Sequence, residues 1–148
     1  MISTSLLLLL LAAVHCVHCV ELIQPGSTLL SPGQSVTLTC KVPGYSLSDS
    51  SYCTHWIRQF VGQTLEWVGD ICGDGNTYYS ERLKSRFQVS RDTSSTVTLT
   101  GKNMQTEDTA VYYCARERIN WGPYSYFDYW GKGTQVTVTS AVQSAPKS

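Results

Sequence analysis

An excess of charge of either sign is absent from this sequence, which has eleven basic and eleven acidic residues among 148. Without a basic stripe or a polybasic segment, binding to nucleic acid or to an anionic membrane surface has no electrostatic basis. Apolar runs of about 20 residues, the length that spans a bilayer, are also absent. The chain is long enough for one domain with a sizeable core, and we expect no cofactor and no nucleic-acid partner.

The one marked apolar run is short and lies at the N-terminus. Leu6 to Leu11 is unbroken leucine, continued by residues 12–14, and its length suits the hydrophobic region of a secretory signal peptide. Val17 and Cys19 fit the positions before a cleavage site. The alternative is a buried apolar strand or helix. We predict that residues 1–19 are removed and that the rest is extracellular or displayed at the cell surface.

Cysteine counting is simpler after this removal. Cys16 and Cys19 leave with the signal peptide, and the remaining cysteines are Cys40, Cys53, Cys72 and Cys114. Four thiols in an exported domain predict two disulfides, for which three connectivities are possible. Free thiols are disfavoured in an oxidising compartment.

From residue 20 onward, apolar side chains alternate with polar ones, which is the pattern of half-buried β-strands. The clearest stretches cover residues 35–42, 87–90, 96–100 and 135–139. Turn sequences rich in Gly, Pro, Asp and Asn separate them. Many short strands of this kind predict an all-β antiparallel sandwich or barrel. One short helical turn is expected between residues 104 and 109.

Three features at particular spacings carry a family resemblance. Trp56 follows Cys40 by sixteen residues. Cys114 is preceded by Asp-Thr-Ala-Val-Tyr-Tyr, in which Tyr112 fits the tyrosine-corner position of immunoglobulin domains. With these features in this order, residues 20–140 resemble an immunoglobulin variable domain. The resemblance implies a variable-type antiparallel β-sandwich with Greek-key connections.

Two further motifs resemble those of heavy chains. Residues 56–59 (Trp-Ile-Arg-Gln) with 65–69 (Leu-Glu-Trp-Val-Gly) are similar to the second framework, and residues 130–134 (Trp-Gly-Lys-Gly-Thr) to the joining segment. Two alternatives are a T-cell receptor chain and an immunoglobulin-type adhesion or receptor domain. The heavy-chain motifs argue against the first. The long, irregular segment 116–129 argues against the second, an adhesion or receptor domain. Antigen recognition by an antibody or B-cell receptor is implied, with residues 141–148 as a linker or the start of the constant region, and constant domains beyond Ser148.

The resemblance also assigns the cysteines. It implies a Cys40–Cys114 disulfide between the sheets and puts Cys53 and Cys72 in neighbouring binding loops. We hypothesise that these two form a second disulfide, which would pre-organise the loops for binding. The alternative, a metal site of Cys53, His55 and Cys72, has only three ligands at irregular spacing.

Structural side chains are implied as well. Trp56 would form the centre of the core. Arg86 and Asp108 match an ion pair that closes the bottom of the sandwich. Two residues of the third loop, Arg116 and Asp128, match a pair that braces its base, with Phe127 packed underneath.

Three loops at one end of the family's sandwich bind antigen, and here they cover residues 44–53, 71–77 and 115–129. Tyr and Trp supply contact area at low entropic cost, while Ser and Asn adapt their hydrogen bonding. The predicted antigen contacts are Tyr45, Ser50, Ser51, Tyr52, Asp74, Asn76, Arg118, Ile119, Asn120, Trp121, Tyr124 and Tyr126.

A second surface would pair with a light-chain variable domain. Single-domain heavy chains tend to carry polar or small residues at the positions of Leu65 and Trp67. An exposed apolar patch there would otherwise promote aggregation. The predicted interface residues are Gln59, Leu65, Trp67, Tyr113, Phe127 and Trp130.

Catalysis is not expected. Once residues 1–19 are removed, His55 is the only histidine. The resemblance places it on a framework strand without an evident nucleophile partner. No pattern points to a pair of catalytic carboxylates.

Overall fold

The computed structural model describes residues 21–119 and 125–142. Within these ranges the chain forms short strands joined by turns, and no helix there has the length and apolar content to cross a membrane. The ten strands of the described residues are β1 (Ser27–Leu30), β2 (Val36–Lys41), β3 (Tyr52–Gln59), β4 (Leu65–Cys72), β5 (Thr77–Tyr79), β6 (Phe87–Thr93), β7 (Thr96–Gly101), β8 (Ala110–Ile119), β9 (Ser125–Trp130) and β10 (Thr134–Val138).

The strands form two sheets. The larger sheet has the order β1-β10-β8-β3-β4-β5, with β9 paired to the end of β8, and the smaller one has the order β2-β7-β6. Neighbouring strands are antiparallel apart from β1 and β10, which run parallel. The predicted all-β sandwich of the variable type is confirmed.

The alternation read from the sequence corresponds to the buried faces of the strands. Its apolar side chains pack between the two sheets, and the polar residues between them face outward. The buried members include Val36, Leu38, Cys40, Val42, Phe87, Val89, Val97, Leu99, Val136 and Val138. The core is therefore built by the same alternating residues that predicted the strands.

A disulfide joins the two sheets through the middle of this core. Cys40 on β2 bonds to Cys114 on β8, and both cysteines are fully buried. Trp56 on β3 is directly opposite Cys114 in the β3–β8 register and is also fully buried. These three residues occupy the positions that the motif spacing predicted.

One short helix was not predicted. Helix α1 (Gly44–Ser48) follows Pro43, whose carbonyl oxygen accepts hydrogen bonds from the backbone N–H and the hydroxyl of Ser46. Leu47 packs into the core and holds this single turn in place. The predicted turn between residues 104 and 109 is present as a 3-10 helix, Thr106–Asp108, and a second 3-10 helix spans Ser140–Val142.

Buried and partly buried charged side chains meet at the end of the sandwich remote from α1. We call Arg58, Glu66, Arg86, Asp108 and Tyr112 the framework-end cluster. Arg58 and Arg86 both donate to Asp108, at 3.0 Å and 2.9 Å, and Arg58 also donates to Glu66 at 2.6 Å. The Tyr112 hydroxyl donates to the backbone carbonyl of Asp108 at 2.8 Å, as a tyrosine corner does. The predicted Arg86–Asp108 pair is present and is shared with Arg58.

Hydrogen bonds from Arg86, from the backbone N–H of Gln105 and from Arg58 oppose the effect of burial on Asp108. Burial alone would raise the pKa of this carboxyl, but the three donors lower the pKa to about 2. Asp108 is therefore held ionised in the folded protein.

Candidate functional site

Three chain segments meet at the end of the large sheet where α1 lies. The turn after α1 leads into β3, residues 73–76 connect β4 to β5, and β8 continues into β9. Backbone hydrogen bonds join the three segments, from Gly73 N to Tyr52 O at 3.0 Å and from Ile119 N to Ser51 O at 2.8 Å. The predicted loops 44–53, 71–77 and 115–129 therefore contribute to one surface.

The third segment is more regular than the sequence indicated. Residues 115–119 of β8 pair with residues 125–130 of β9 in an antiparallel hairpin, with one register shift after Arg116. The expectation of an irregular loop is wrong for the described parts of this segment. β9 pairs with the part of β8 that lies beyond its short ladder with β10, while the opposite edge of β8 stays paired with β3.

Most of the predicted contact residues that the structure describes are exposed at this end. They are Tyr45, Ser50, Ser51, Asp74, Asn76, Arg118, Ile119 and Tyr126. Three others, Asn120, Trp121 and Tyr124, lie outside the described residues, as do the predicted signal peptide and residues 143–148.

Tyr52 contradicts its prediction. Its side chain is only 8% exposed and lies on the same face of β3 as Trp56. The Arg116 guanidinium sits 4.3 Å from the centre of the Tyr52 ring, and that of Arg118 sits 5.8 Å away. Tyr52 therefore supports the surface from below as a platform for two cations.

Arg116 ties the first and third segments together. Its guanidinium donates to both carboxylate oxygens of Asp128, at 3.1 Å and 2.7 Å, and to the Tyr45 hydroxyl at 3.1 Å. A bidentate pair of this kind fixes the geometry of both partners. The predicted brace between Arg116 and Asp128 is present, and Arg116 is itself buried.

The second disulfide, Cys53–Cys72, is present in the structure. Cys53 and Cys72 are directly opposite each other on β3 and β4, so the bond joins the bases of the first two segments. With both thiols oxidised, the alternative metal site of Cys53, His55 and Cys72 loses two of its three ligands.

His55 has neighbours that the sequence analysis missed. Asp70 lies directly opposite it on β4, and Glu117 lies two residues beyond its partner on β8. The His55 Nε2 atom is 2.7 Å from Glu117 Oε1 and 3.7 Å from Asp70 Oδ2. We call these three residues the histidine–carboxylate cluster. Their common face follows from the strand register, which sequence alternation alone does not provide.

Trp67 fixes the tautomer of the imidazole in this cluster. Its indole N–H donates to His55 Nδ1 at 2.9 Å. Because an indole nitrogen can only donate, Nδ1 must be the acceptor and the proton of neutral His55 lies on Nε2, from which it is donated to Glu117. Burial raises the pKa of the Asp70 carboxyl, and the nearby Glu117 acts in the same direction.

The six predicted interface residues lie on the outer face of the large sheet. Phe127 and Trp67 adjoin this cluster, whereas Gln59 and Leu65 lie at the opposite end of β3 and β4. Leu65 is 52%, Phe127 40% and Trp130 43% exposed, although all three are large and apolar. Phe127 was expected to pack beneath the third loop. Instead its ring meets the His55 ring edge-on at 4.9 Å and leaves much of its own surface open. Gln59, Trp67 and Tyr113 on the same face are partly buried.

Comparison with known proteins identifies the family. Residues 23–139 match the family model of the immunoglobulin V-set domain. The chain is 47% identical over 137 residues to the mouse protein "Ig heavy chain V region MOPC 315", covering 92% of this chain and 97% of the relative. It is 44% identical over 126 residues to "Ig heavy chain V region XIG14" of Xenopus laevis, covering 84% and 90%. The chain belongs to the immunoglobulin heavy-chain variable domains.

Antigen recognition is the function of such a heavy-chain variable domain, and the prediction of that function from the sequence is confirmed. A rabbit relative, "Ig heavy chain V-A1 region BS-5", is 46% identical over 116 residues, covering 78% of this chain and 97% of its own length. Heavy-chain variable domains are in general secreted or displayed at the cell surface, and their work is binding.

Proposed function

We propose that this domain binds antigen through the exposed side chains of its three loop segments, in partnership with a light-chain variable domain on the outer face of the large sheet. The observation that carries the proposal is the position of Leu65, Phe127 and Trp130. These large apolar side chains are 40–52% exposed on one sheet face, with Phe127 and Trp130 on the strand that leaves the third loop segment and Leu65 at the opposite end of β4. A patch of this kind next to a binding surface calls for a protein partner.

The antigen surface comprises Tyr45, Ser50, Ser51, Asp74, Asn76, Arg118, Ile119 and Tyr126, together with the predicted contacts Asn120, Trp121 and Tyr124. Tyr45 and Tyr126 offer rigid amphipathic rings, and the serines and Asn76 offer adaptable hydrogen bonds. Arg116 and Asp128 hold the hairpin that carries the third segment, and Tyr52 supports Arg118 from below. Their role is to position the contact residues.

The pairing surface consists of Gln59, Leu65, Trp67, Tyr113, Phe127 and Trp130. The Trp130 ring meets the Tyr113 ring edge-on. It also meets the Phe127 ring at a tilt, with 5.4 Å between ring centres, so the three aromatic rings form one continuous patch. Aromatic residues are enriched at the buried centres of protein interfaces. The partner is an immunoglobulin light-chain variable domain.

The rest of the chain serves this role. Residues 1–19 act as a secretory signal peptide, residues 20–140 form the variable domain, and residues 141–148 lead into heavy-chain constant domains beyond Ser148. The protein acts outside the cell or at its surface within a B-cell receptor. It binds antigen without catalysis, cofactor or nucleic acid.

Association with a light-chain variable domain tests the pairing directly. We expect Leu65→Arg to weaken the complex by about tenfold or more, since it places a charge within an apolar contact. Leu29→Arg is the matched control. Leu29 is similarly exposed on β1, at the other edge of the sheet, and its substitution should leave association unchanged. Equal effects of the two substitutions in sedimentation equilibrium would argue against this surface.

The antigen surface is tested on the assembled pair. A broad antigen array identifies a ligand, and alanine variants of Tyr45, Arg118 and Tyr126 are then compared by surface plasmon resonance. We expect each to accelerate dissociation, because truncation removes contact area from the interface. Tyr52→Phe should leave the rates unchanged, as its buried ring provides only support. Three silent alanine variants would overturn the assignment.

A further inference from the structure

The histidine–carboxylate cluster brings together three donor atoms of the types that bind transition metals. One atom each from His55, Asp70 and Glu117 lies within 4.8 Å of the other two. The residues project from three adjacent strands of the large sheet, so the sheet itself holds them in place. Sites on strands are more precisely fixed than sites on loops.

The charge in this cluster is not balanced. Among the described residues, His55 is the only basic side chain within 4.0 Å of the Asp70 or Glu117 carboxylate. The nearby Arg116 is paired with Asp128. Two carboxylates facing one imidazole therefore leave an excess of negative charge under the binding surface, and such a group is costly to bury without a cation.

Asp70 directs an unused oxygen into the cluster. Its side chain is nine-tenths buried, and its Oδ1 atom accepts the backbone N–H of Tyr78. Its Oδ2 atom points toward His55 and receives no hydrogen bond from the part of the chain that the structure describes. This oxygen keeps some access to solvent, and a carboxylate oxygen without a hydrogen-bond donor can bind a cation.

We propose that His55 Nε2, Asp70 Oδ2 and Glu117 Oε1 form a binding site for a divalent transition-metal ion, with zinc as the ion that the donor set fits. Zinc lies about 2.0–2.2 Å from nitrogen and oxygen donors, which places tetrahedral donors about 3.3 Å from one another. The present separations of 2.7 Å and 3.7 Å from Nε2 bracket that value. Small side-chain rotations would bring all three atoms onto one ion, leaving the fourth position to water or to a group on the antigen.

Trp67 opposes metal binding, and this gives the site a distinctive property. A metal on Nε2 displaces the proton to Nδ1, where it would face the indole N–H of Trp67. Since the indole cannot accept a hydrogen bond, the bond between Trp67 and His55 must break when the ion binds. Zinc binding is therefore coupled to a side chain on the proposed pairing surface.

Zinc titration of the secreted chain, produced without a histidine tag, is the test. We expect one zinc ion per chain in isothermal titration calorimetry, with magnesium giving no comparable heat because it prefers six oxygen ligands. Asp70→Asn and Glu117→Gln should each weaken zinc binding by more than about tenfold. Glu107→Gln, an exposed substitution at the other end of the sandwich, is the matched control and should bind as the unaltered chain does.

Two readouts separate this site from zinc bound elsewhere on the surface. Trp67→Phe should bind zinc about threefold to tenfold more tightly, because the competing hydrogen bond is gone. Nitrogen-15 NMR of His55 should change from the Nε2–H tautomer to the Nδ1–H tautomer on zinc addition, in the unaltered chain and without any substitution. Absence of saturable binding, equal binding by Glu117→Gln and Glu107→Gln, or an unchanged tautomer at saturating zinc would overturn the proposal.

Discussion

A charged cluster around a buried aspartate lies at each end of the sandwich, and the two clusters differ in their balance of charge. At the framework end, Asp108 lies between Arg58 and Arg86, so the carboxylate has two guanidinium partners. At the loop end, Asp70 and Glu117 share the single imidazole of His55.

The two buried aspartates respond in opposite ways to the same burial. The pKa of Asp108 is lowered to about 2, whereas the pKa of Asp70 is raised. Burial disfavours both charged forms, and only donors aimed at the carboxylate reverse this effect. The framework-end carboxylate is therefore balanced by guanidinium groups of the protein itself, whereas the two loop-end carboxylates face a single imidazole.

Of the changes considered, removing Asp108, the anion that Arg58 and Arg86 share, should lower the free energy of unfolding most. Asp108→Ala removes one of the two carboxylate partners of the buried Arg58 guanidinium and the carboxylate partner of Arg86, and we expect a loss of about 3–5 kcal/mol in the free energy of unfolding. Urea denaturation measures it. Glu107→Gln, next to Asp108 but exposed, should change stability little. A loss below about 1 kcal/mol for Asp108→Ala would mean that the balanced cluster does not stabilise the fold.

At the loop end, the Cys53–Cys72 disulfide joins β3 and β4, whereas the charges there are not balanced. Replacing both Cys53 and Cys72 by alanine removes a cross-link over 19 residues, and the chain-entropy model gives a loss of about 3 kcal/mol. Hydrogen exchange should accelerate more strongly in residues 44–53 and 71–77, which open locally, than around Asp108. Uniform acceleration through both ends would show that the disulfide acts on the whole domain instead.

Acid should weaken the framework end selectively. The pKa of folded Asp108 lies below the unfolded value, so its contribution is fully present above about pH 4 and is lost as the pH falls toward 2. The shift corresponds to about 2 kcal/mol of stability. Urea unfolding at several pH values should reveal this loss in the unaltered chain. Asp108→Asn should lack that part of the slope, and an identical slope in both proteins would contradict the assignment.

The sandwich could be predicted from the sequence because two kinds of signal agree. Alternating residues such as Val36, Leu38 and Cys40 record which side of a strand is buried, and the spacing of Trp56 and Cys114 records how the strands pack. Helix α1 left no periodic signal, since one turn is too short for a period. It depends on the burial of Leu47 and therefore on the tertiary structure.

The site was predicted less completely, since composition does not report direction. Tyr52 suits a contact surface by residue type, yet it lies on the inward face of β3. The histidine–carboxylate cluster was missed because residues 55, 70 and 117 are distant in sequence and meet only through the strand register. The pairing of Cys53 with Cys72 fixes that register between β3 and β4, and it was the one sequence signal from which the opposition of His55 and Asp70 could have been derived.

The smallest expected effect is also the most direct test of the difference between the two ends. Asp70→Asn keeps an Oδ1 acceptor for the Tyr78 N–H, removes an uncompensated buried charge and puts an amide donor near Glu117. We therefore expect it to stabilise the domain by up to about 1 kcal/mol in urea denaturation at neutral pH with EDTA present, the opposite sign to Asp108→Ala. Asp74→Asn, exposed in the same segment, should change stability by less than about 0.5 kcal/mol. Destabilisation by Asp70→Asn would mean that the charges of the loop-end carboxylates are already compensated within the protein. The two clusters would then not differ in their balance of charge.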